Sequence, residues 1–168
     1  MTNIPGKTGY SAPAPSAADQ ANALAGVRIA ICATQWNTDI IDPLLAGAHR
    51  CLSDWGIAAE HVQEFRAPGA FELPLAADRI LAAGRYDGVI VLGAVIRGDT
   101  PHFEYVAGEC ARGLMDVQLK HGRPVAFGVL TVNTAQQAHD RAGPGRDNKG
   151  YEAAAATLDM IKLARSVA

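Results

Sequence analysis

The segment from Leu92 to Val106, LGAVIRGDTPHFEYV, contains the residue types of this chain whose spacing could support catalysis. An apolar stretch ends in a turn, and His102 follows where the next helix should begin. A helix start exposes unpaired N–H groups and partial positive charge, which suits a phosphate and disfavours an imidazolium. A neutral imidazole there could accept a proton near a carbonyl group. An exposed histidine at a helix start also costs little stability. A catalytic role and a merely structural position therefore both stay open at this point.

The turn before this histidine is a candidate phosphate-binding segment. Gly98, Asp99 and Thr100 could present backbone N–H groups and a hydroxyl to an anion without a P-loop consensus. The chain has no GxGxxG turn and no GxSxG elbow. Its histidines show neither HExxH nor paired spacing with cysteines or carboxylates, so no metal site is predicted.

Other candidate side chains also follow apolar runs, and each has a structural alternative. Trp36 could stack on a planar heterocycle or cover the rim of the core. Asn37 could bind a ligand or cap the turn, and Glu72 could bind a ligand or complement a helix dipole. Arg141 near a helix end and Lys149 before a glycine are, by themselves, ordinary positions for solvated cations.

Composition limits both the architecture and the partners. A length of 168 residues with 49% hydrophobic content predicts one domain, at residues 26–168. Residues 1–25 are rich in proline, alanine and serine without periodic apolar spacing, which predicts a flexible arm. The net charge of -2, without a Lys/Arg cluster, argues against nucleic acid and anionic membranes as partners.

The cysteines and the apolar runs predict a cytoplasmic location. Cys32, Cys51 and Cys110 are odd in number and form no CxxC pair, which favours buried thiols in a reducing compartment. The sequence shows no basic-then-apolar leader at Met1 and no apolar run of membrane-spanning length.

From Val27 onward, apolar runs alternate with amphipathic helices. The strand-like runs are VRIAICA, HVQEFRA, GVIVLGA and PVAFGVL. The predicted helices cover residues 42–55, 71–83 and 102–121, followed by two short helices towards the C-terminus. This alternation predicts a three-layer α/β/α sandwich around a four-stranded parallel sheet of flavodoxin-like topology. Ligands of such sheets bind at the carboxyl ends of the strands, where all the candidate segments lie.

Residue types at the predicted helix ends support these boundaries. Asp42 and Pro43 suit the N-cap and first position of the first helix, and Thr134 with Gln137 resembles a capping box before the fourth. Glycines at positions 56, 84 and 122 follow the first three helices.

Five segments, in their order and spacing, resemble lumazine synthase, the penultimate enzyme of riboflavin biosynthesis. They are Trp36-Asn37, PGAFELP (68–74), LGAVIRGDTPHFEYV (92–106), FGVLTVNTAQQAHDRAG (127–143) and NKGYEAA (148–154). The resemblance implies a transferase that condenses 5-amino-6-(D-ribitylamino)uracil with 3,4-dihydroxy-2-butanone 4-phosphate, releasing phosphate and water. It also implies that neither a metal nor an organic cofactor takes part.

The resemblance assigns a role to each candidate residue. It implies that the pyrimidine stacks on Trp36 and that its polar edge meets Val95, Ile96 and Lys149. The ribityl chain would bind the segments that hold Asn37, Ala70, Phe71 and Glu72. The phosphate would lie on Gly98, Asp99 and Thr100 with Arg141, and His102 would accept or shuttle protons. His102, Arg141 and Lys149 are therefore the expected catalytic residues.

The family also implies a homo-oligomer with active sites between subunits. One subunit would provide the strand-end loops, and its neighbour would provide Phe127, Arg141 and Lys149. A pentamer is expected, whereas a sixty-subunit icosahedral shell and association with riboflavin synthase stay open. The PGRD segment (144–147) has the length found in shell-forming members but not their usual glycine-lysine sequence.

Trp36 departs from the family, which usually has phenylalanine there, and its larger face predicts tighter stacking of a flavin or lumazine. This departure motivates one alternative, a flavin-binding or storage oligomer. A shell whose packing matters more than its rate is another, and an unrelated nucleotide-binding domain would need only the strand-helix alternation.

Overall fold

The centre of the protein is a sheet of four parallel strands. The computed structural model describes residues 10–18 and 23–168. The strands are β1 (Ile29–Thr34), β2 (Val62–Ala67), β3 (Gly88–Ile96) and β4 (Val125–Val132), in the spatial order β2-β1-β3-β4. All three pairings are parallel. β1 and the first six residues of β3 are buried on both faces, as their continuous apolar sequences require.

Helices cover both faces of this sheet. They are α1 (Thr38–Asp54), α2 (Leu73–Ala82), α3 (His102–His121), α4 (Ala135–Arg141) and α5 (Lys149–Ser166). One buried apolar cluster lies between the sheet and α1 with α5, and a second lies between the sheet and α2 with α3. The predicted three-layer α/β/α fold with flavodoxin-like strand order is confirmed.

The first helix begins four residues earlier than the sequence pattern predicts, at Thr38 instead of Asp42. Asn37 adopts a left-handed backbone, with φ of 57°, and its carbonyl accepts hydrogen bonds from the N–H groups of Ile40 and Ile41 at 2.9 Å each. Asparagine tolerates this conformation better than most residues, so β1 turns directly into the helix. Pro43 then lies inside α1, where it lacks the N–H that would donate to the carbonyl of Asp39, an exposed residue of the first turn.

Two other boundaries also differ from the predicted ones. Phe71 and Glu72 belong to a 3-10 turn (Ala70–Glu72) that precedes α2, and the prediction of two short C-terminal helices is wrong for the second of them. α5 has 18 residues, and its alanine-rich sequence is buried on several sides, which obscures the helical period.

The predicted cap of α4 and the glycines after the first three helices are present, whereas Asp42 lies inside α1 and does not cap it. Thr134 Oγ1 accepts from the Gln137 N–H at 3.2 Å, while Gln137 Oε1 accepts from the N–H of Asn133, one residue before the usual capping-box partner. The three glycines after the first helices have φ values of 79°, 71° and 58° at positions 56, 84 and 122, as a left-handed helix end requires.

A buried asparagine joins α1, α5 and the segment before α5. Asn148 is 1% exposed, and its Oδ1 accepts from the N–H groups of Gly150 at 2.8 Å and Tyr151 at 3.1 Å. Its Nδ2 donates to the carbonyls of Pro43 at 3.1 Å and Gly143 at 2.7 Å. The side chain therefore both caps α5 and fixes Lys149 at the first position of that helix.

Glycine is required where the two helices cross. A Cβ on Gly150 would lie 1.9 Å from the Leu44 carbonyl oxygen, and one on Gly47 would lie 2.1 Å from Asn148 Oδ1. The two backbones can approach this closely only because neither glycine carries a side chain.

The described part of the N-terminal segment packs on α5. The Tyr10 hydroxyl donates to Asp159 Oδ2 at 2.6 Å, and the Arg165 guanidinium donates to the carbonyls of Ala23 and Ala25. Leu24 is buried in the cluster beneath α1 and α5. Residues 1–9 and 19–22 of the predicted arm lie outside the described residues, and the predicted domain boundary stays a prediction.

The three cysteines are buried and free, as predicted. Burial raises the pKa of Cys32 and Cys110 to about 11 and that of Cys51 to about 12. These thiols therefore remain protonated at neutral pH. None of the described helices is both long and apolar enough to span a membrane.

Replacing Asn148 with alanine tests the junction between α1 and α5. We expect Asn148→Ala to lower the free energy of unfolding by about 3 kcal/mol, because a helix cap is lost and two carbonyls lose their donor. Thr134→Ala is the matched control, since Thr134 caps an exposed seven-residue helix with one bond, and it should cost about 1 kcal/mol or less. Urea unfolding at one fixed protein concentration measures both values, and equal losses would contradict the assigned role of Asn148.

Candidate active site

A cleft opens where β1 and β3 lie side by side. From β1 the chain passes through α1 to β2 at one edge of the sheet. From β3 it passes through α3 to β4 at the opposite edge. The two connections diverge, so the carboxyl ends of these strands border a crevice. The cavity at this point has a volume of about 320 Å³, and a second cavity of about 530 Å³ adjoins it.

The first cavity collects most of the residues singled out in the sequence. The strand ends and the loops that follow provide Trp36, Asn37, Ala70, Val95, Ile96, Gly98, Thr100 and His102 to its lining. Phe71 and Glu72 line the second cavity, which also has Ala70 and His102 in its wall. Asp99 is exposed and lines neither cavity.

Trp36 presents an open aromatic face at the mouth of the first cavity. Its side chain is 71% exposed, so it does not cover the core. Gly69 lies between the side chains of Trp36 and Glu72. A Cβ on Gly69 would lie 3.2 Å from Glu72 Oε2 and 3.8 Å from Trp36 Cδ1. The indole and the Glu72 carboxylate therefore flank one gap, as a planar ring with a polar substituent would require.

The amide side chain of Asn37 is not used to cap α1. The Asn37 backbone carbonyl accepts from the N–H groups of Ile40 and Ile41, and the side chain makes no cap hydrogen bond. Asn37 thus places an amide, which both donates and accepts, at the cavity lining beside Trp36.

His102 is the first residue of α3, as predicted, and contributes to both cavities. Its side chain is exposed, and no side chain in the described part of the molecule hydrogen-bonds to the imidazole. Pro101 occupies the N-cap position without a side-chain cap, which leaves backbone N–H groups at the start of this helix for another acceptor. The arrangement combines a proton acceptor with an anion-binding helix end.

The two cavities contain no lysine or arginine among the described residues that line them. Arg97, which precedes Gly98, is instead paired with Glu104, and this pairing lowers the pKa of the Glu104 carboxyl below its usual value. A phosphate at the start of α3 would therefore lack a cationic side chain within the lining formed by this chain alone.

Phe127, Arg141 and Lys149 do not join the cleft within one chain. Phe127 lies on the edge strand β4 with 46% of its side chain exposed. Arg141 ends α4 and donates from Nη1 to the Gln137 carbonyl at 2.9 Å. Lys149 donates from Nζ to Glu152 Oε2 at 2.5 Å.

The sequence analysis did not predict some of the residues that line the cavities. Phe103, Tyr105 and Val106 border the cavities from the first turns of α3, and Thr34 and Ala94 form part of the floor. Helical spacing contained a signal for two of them, because Tyr105 and Val106 follow His102 by three and four residues and thus share its face. The floor residues had no signal, since they look like ordinary strand positions.

Comparison with known proteins agrees with the site. Residues 26–165 match the sequence profile of 6,7-dimethyl-8-ribityllumazine synthase. The chain belongs to this family. A 6,7-dimethyl-8-ribityllumazine synthase from Desulfovibrio desulfuricans is 47% identical over 138 residues, which is 82% of this chain and 88% of the relative. The lumazine synthase match thus includes β1 to β4 and the whole cleft.

The two tryptophans of this lumazine synthase family member provide a direct probe of the cleft. Trp36 is 71% exposed, whereas Trp55 is 1% exposed, so acrylamide should quench the fluorescence of Trp36 only. Riboflavin bound on the indole should shield it, and Trp36→Phe should weaken riboflavin binding about threefold because phenylalanine offers less stacking area. Acrylamide quenching of tryptophan fluorescence measures the shielding, with Trp55 as the internal reference, and titration of riboflavin's own fluorescence measures its binding to both proteins. Unchanged or tighter riboflavin binding by Trp36→Phe would contradict a stacking role.

Proposed function

We infer that this protein condenses 5-amino-6-(D-ribitylamino)uracil with 3,4-dihydroxy-2-butanone 4-phosphate to give 6,7-dimethyl-8-ribityllumazine in riboflavin biosynthesis. The observation that carries this inference is the family match over residues 26–165. The strand-end cleft adds chemical support, because it combines an exposed aromatic face, an uncapped helix start and an exposed imidazole. Phosphate and water are the by-products.

The pyrimidine substrate is proposed to occupy the first cavity. Its ring stacks on Trp36, and its polar edge meets the end of β3 at Val95 and Ile96. The ribityl chain extends towards the adjoining cavity, where Asn37, Ala70 and Glu72 offer an amide, a backbone and a carboxylate to its hydroxyl groups. The two cavities share Ala70 and His102 in their walls, which allows one extended substrate to occupy both.

The phosphorylated substrate is proposed to bind at the start of α3. The segment Gly98–Thr100 and the first N–H groups of the helix face the leaving phosphate, as the missing side-chain cap allows. The primary amine of the pyrimidine attacks the ketone and water leaves as the Schiff base forms. Elimination then breaks the carbon–oxygen bond to phosphate, and after tautomerisation the ribityl-bearing nitrogen attacks the second carbonyl carbon, which closes the ring with loss of a second water. His102 accepts or shuttles protons in these steps, without a metal or organic cofactor.

A neighbouring subunit is proposed to complete the site. The cleft lining of one chain includes no cation among its described residues, although a phosphate needs one. Arg141, Lys149 and Phe127 are placed elsewhere on the same chain, where they could serve an adjacent copy. Arg141 would then pair with the phosphate and Lys149 would contact the pyrimidine edge.

A ring of five subunits is the proposed assembly. The surface of α3 exposes Tyr105, Met115 and Leu119, and Leu75 on α2 is also exposed, so this side of the molecule has apolar area to bury. Assembly of pentamers into an icosahedral shell is proposed to depend on the bend of the segment at 144–147 between pentamers. Pro144 restricts the backbone of that segment. Static light scattering distinguishes the pentamer from the shell, and the same measurement with added riboflavin synthase tests that association.

Three buried, free thiols fit the proposed cytoplasmic location.

The activity itself is tested by mixing the purified protein with both substrates and following lumazine fluorescence. We expect product to appear, with phosphate released in step. Absence of product under conditions in which a known synthase works would overturn the enzymatic function and favour a flavin-binding oligomer built around Trp36.

Separate substitutions distinguish proton transfer from phosphate binding. His102→Ala should lower kcat by roughly 100-fold with little change in either KM, because the lost group acts on protons in the reaction. Arg141→Ala should raise the KM for the phosphorylated substrate by about tenfold or more while the KM for the pyrimidine stays close to wild type. Steady-state kinetics with each substrate varied in turn measures both patterns. Equal KM increases for both substrates in Arg141→Ala would contradict the phosphate assignment.

Mixed oligomers test whether the site is shared between subunits. When His102→Ala and Arg141→Ala chains are co-expressed with different affinity tags and purified together, some interfaces unite an intact His102 with an intact Arg141. When the phosphorylated substrate is kept well below its KM, both parents should have about a tenth of wild-type activity or less, and random mixing should give about a quarter, because both intact halves meet at about one interface in four. Mixed oligomers no more active than the two parents would show that the site lies within one chain.

A further inference from the structure

Arg97 is the first residue after β3, and it contacts three elements around the cleft. Its backbone N–H donates to the Val132 carbonyl at 2.9 Å, which extends the pairing of β3 with β4. Its Nε donates to Asn133 Oδ1 at 3.0 Å, and its Nη1 donates to Glu104 Oε1. The guanidinium carbon lies 4.2 Å from the centre of the Phe103 ring.

These contacts enclose the segment proposed to bind phosphate. Arg97 immediately precedes Gly98, while Phe103 and Glu104 immediately follow His102. The backbone of Arg97 therefore lies at the end of β3, while its side chain contacts Phe103 and Glu104 in the first turn of α3. These contacts hold the two ends of the intervening segment together. Phe103 also lines the first cavity, so a change in the position of its ring would alter the shape of the cleft.

The same side chain is connected to the helix that bears Arg141. Asn133 accepts from Arg97 through its side-chain oxygen. Its backbone N–H donates to Gln137 Oε1 at 2.8 Å. The carbonyl of Gln137 in turn accepts from Arg141 Nη1 at 2.9 Å. A continuous series of hydrogen bonds thus runs from the start of α3, through Arg97, to the end of α4.

The occupied donors of Arg97 argue against direct phosphate binding by this residue. Nε and Nη1 already serve Asn133 and Glu104, and the guanidinium lies over an aromatic ring. Glu104 carries a compensating negative charge, and its hydrogen bond from Arg97 lowers the pKa of the carboxyl below its usual value. An isolated exposed ion pair would add little stability, so the specific feature here is the geometry that several contacts impose together.

We propose that Arg97 is a positioning residue that sets the Gly98–His102 segment for phosphate release and ties it to α4, the helix that carries Arg141 to the neighbouring site. This inference rests on the proposed function, since it assigns the segment a role in that reaction. Arg97 itself touches neither substrate, and it acts through Phe103, Glu104 and Asn133.

Arg97→Met tests this role, with Arg112→Met as the matched control. Arg112 lies on α3, the helix that also holds Glu104, and it makes ion pairs with Glu109 and Asp116 but does not line the cleft. Arg97→Met should lower kcat by about tenfold and raise the inhibition constant for inorganic phosphate by a similar factor, because a misplaced segment loses transition-state geometry. The KM for the pyrimidine substrate should change less than about twofold. Arg112→Met should leave these constants at wild-type values.

Substitutions of Asn133 separate positioning from a general loss of stability. Asn133→Ala removes the acceptor for Arg97 Nε, whereas Asn133→Asp keeps an acceptor at that place. We expect Asn133→Ala to shift kcat and the phosphate inhibition constant in the same direction as Arg97→Met, though less, and Asn133→Asp to restore both. Thermal unfolding of every variant provides the stability reference.

The outcomes distinguish this inference from the proposed function. If the wild type forms lumazine and Arg97→Met matches Arg112→Met in kcat and in phosphate inhibition, the positioning role is overturned while the function stands. A fall in unfolding temperature with unchanged kinetic constants would likewise reduce Arg97 to a structural residue. If the wild type forms no lumazine, the proposed function itself fails, and phosphate binding measured by calorimetry still tests whether Arg97 shapes the segment.

Discussion

The parallel pairing of β1 with β3 is the constraint on which the site depends. This pairing places β1 and β3, which among the described strands have neighbours on both sides, at the centre of the sheet, and their connections lead to opposite edges. Parallel strands need covering helices on both faces, so the carboxyl ends are among the few places where side chains can converge on open space. The cleft, the position of Trp36 and the start of α3 all follow from that arrangement.

The charge distribution supports the proposal that one chain provides only part of a site. The start of α3 supplies backbone N–H groups and an exposed imidazole, but the described residues that line the cleft supply no cation. Arg141 and Lys149 are held at the ends of α4 and α5 by hydrogen bonds within their own chain. Asn148 fixes the start of α5 through four hydrogen bonds while buried against α1, so the position of Lys149 depends on the packing of two helices.

The candidate site was more predictable than several helix boundaries. His102 begins α3 as the sequence pattern indicates, because the preceding Gly-Asp-Thr-Pro run stops β3 and favours a turn. Asp42-Pro43 predicts a helix start that the structure does not use, because the left-handed backbone at Asn37 begins α1 earlier. The alanine-rich sequence of α5 conceals its length, since residues that pack on several sides leave no single apolar stripe.

The sequence by itself determined the alternation of strands and helices, the family and the residue types at each strand end, because apolar period and turn chemistry are local properties. Only the tertiary structure decided which strand ends lie together, and it placed Glu72 across Gly69 from Trp36. It also joined Arg97, which precedes the candidate phosphate-binding segment, to Asn133, a residue 36 positions further along the chain. Such contacts depend on how the helix layers pack against the sheet, and no local pattern in the chain encodes that packing.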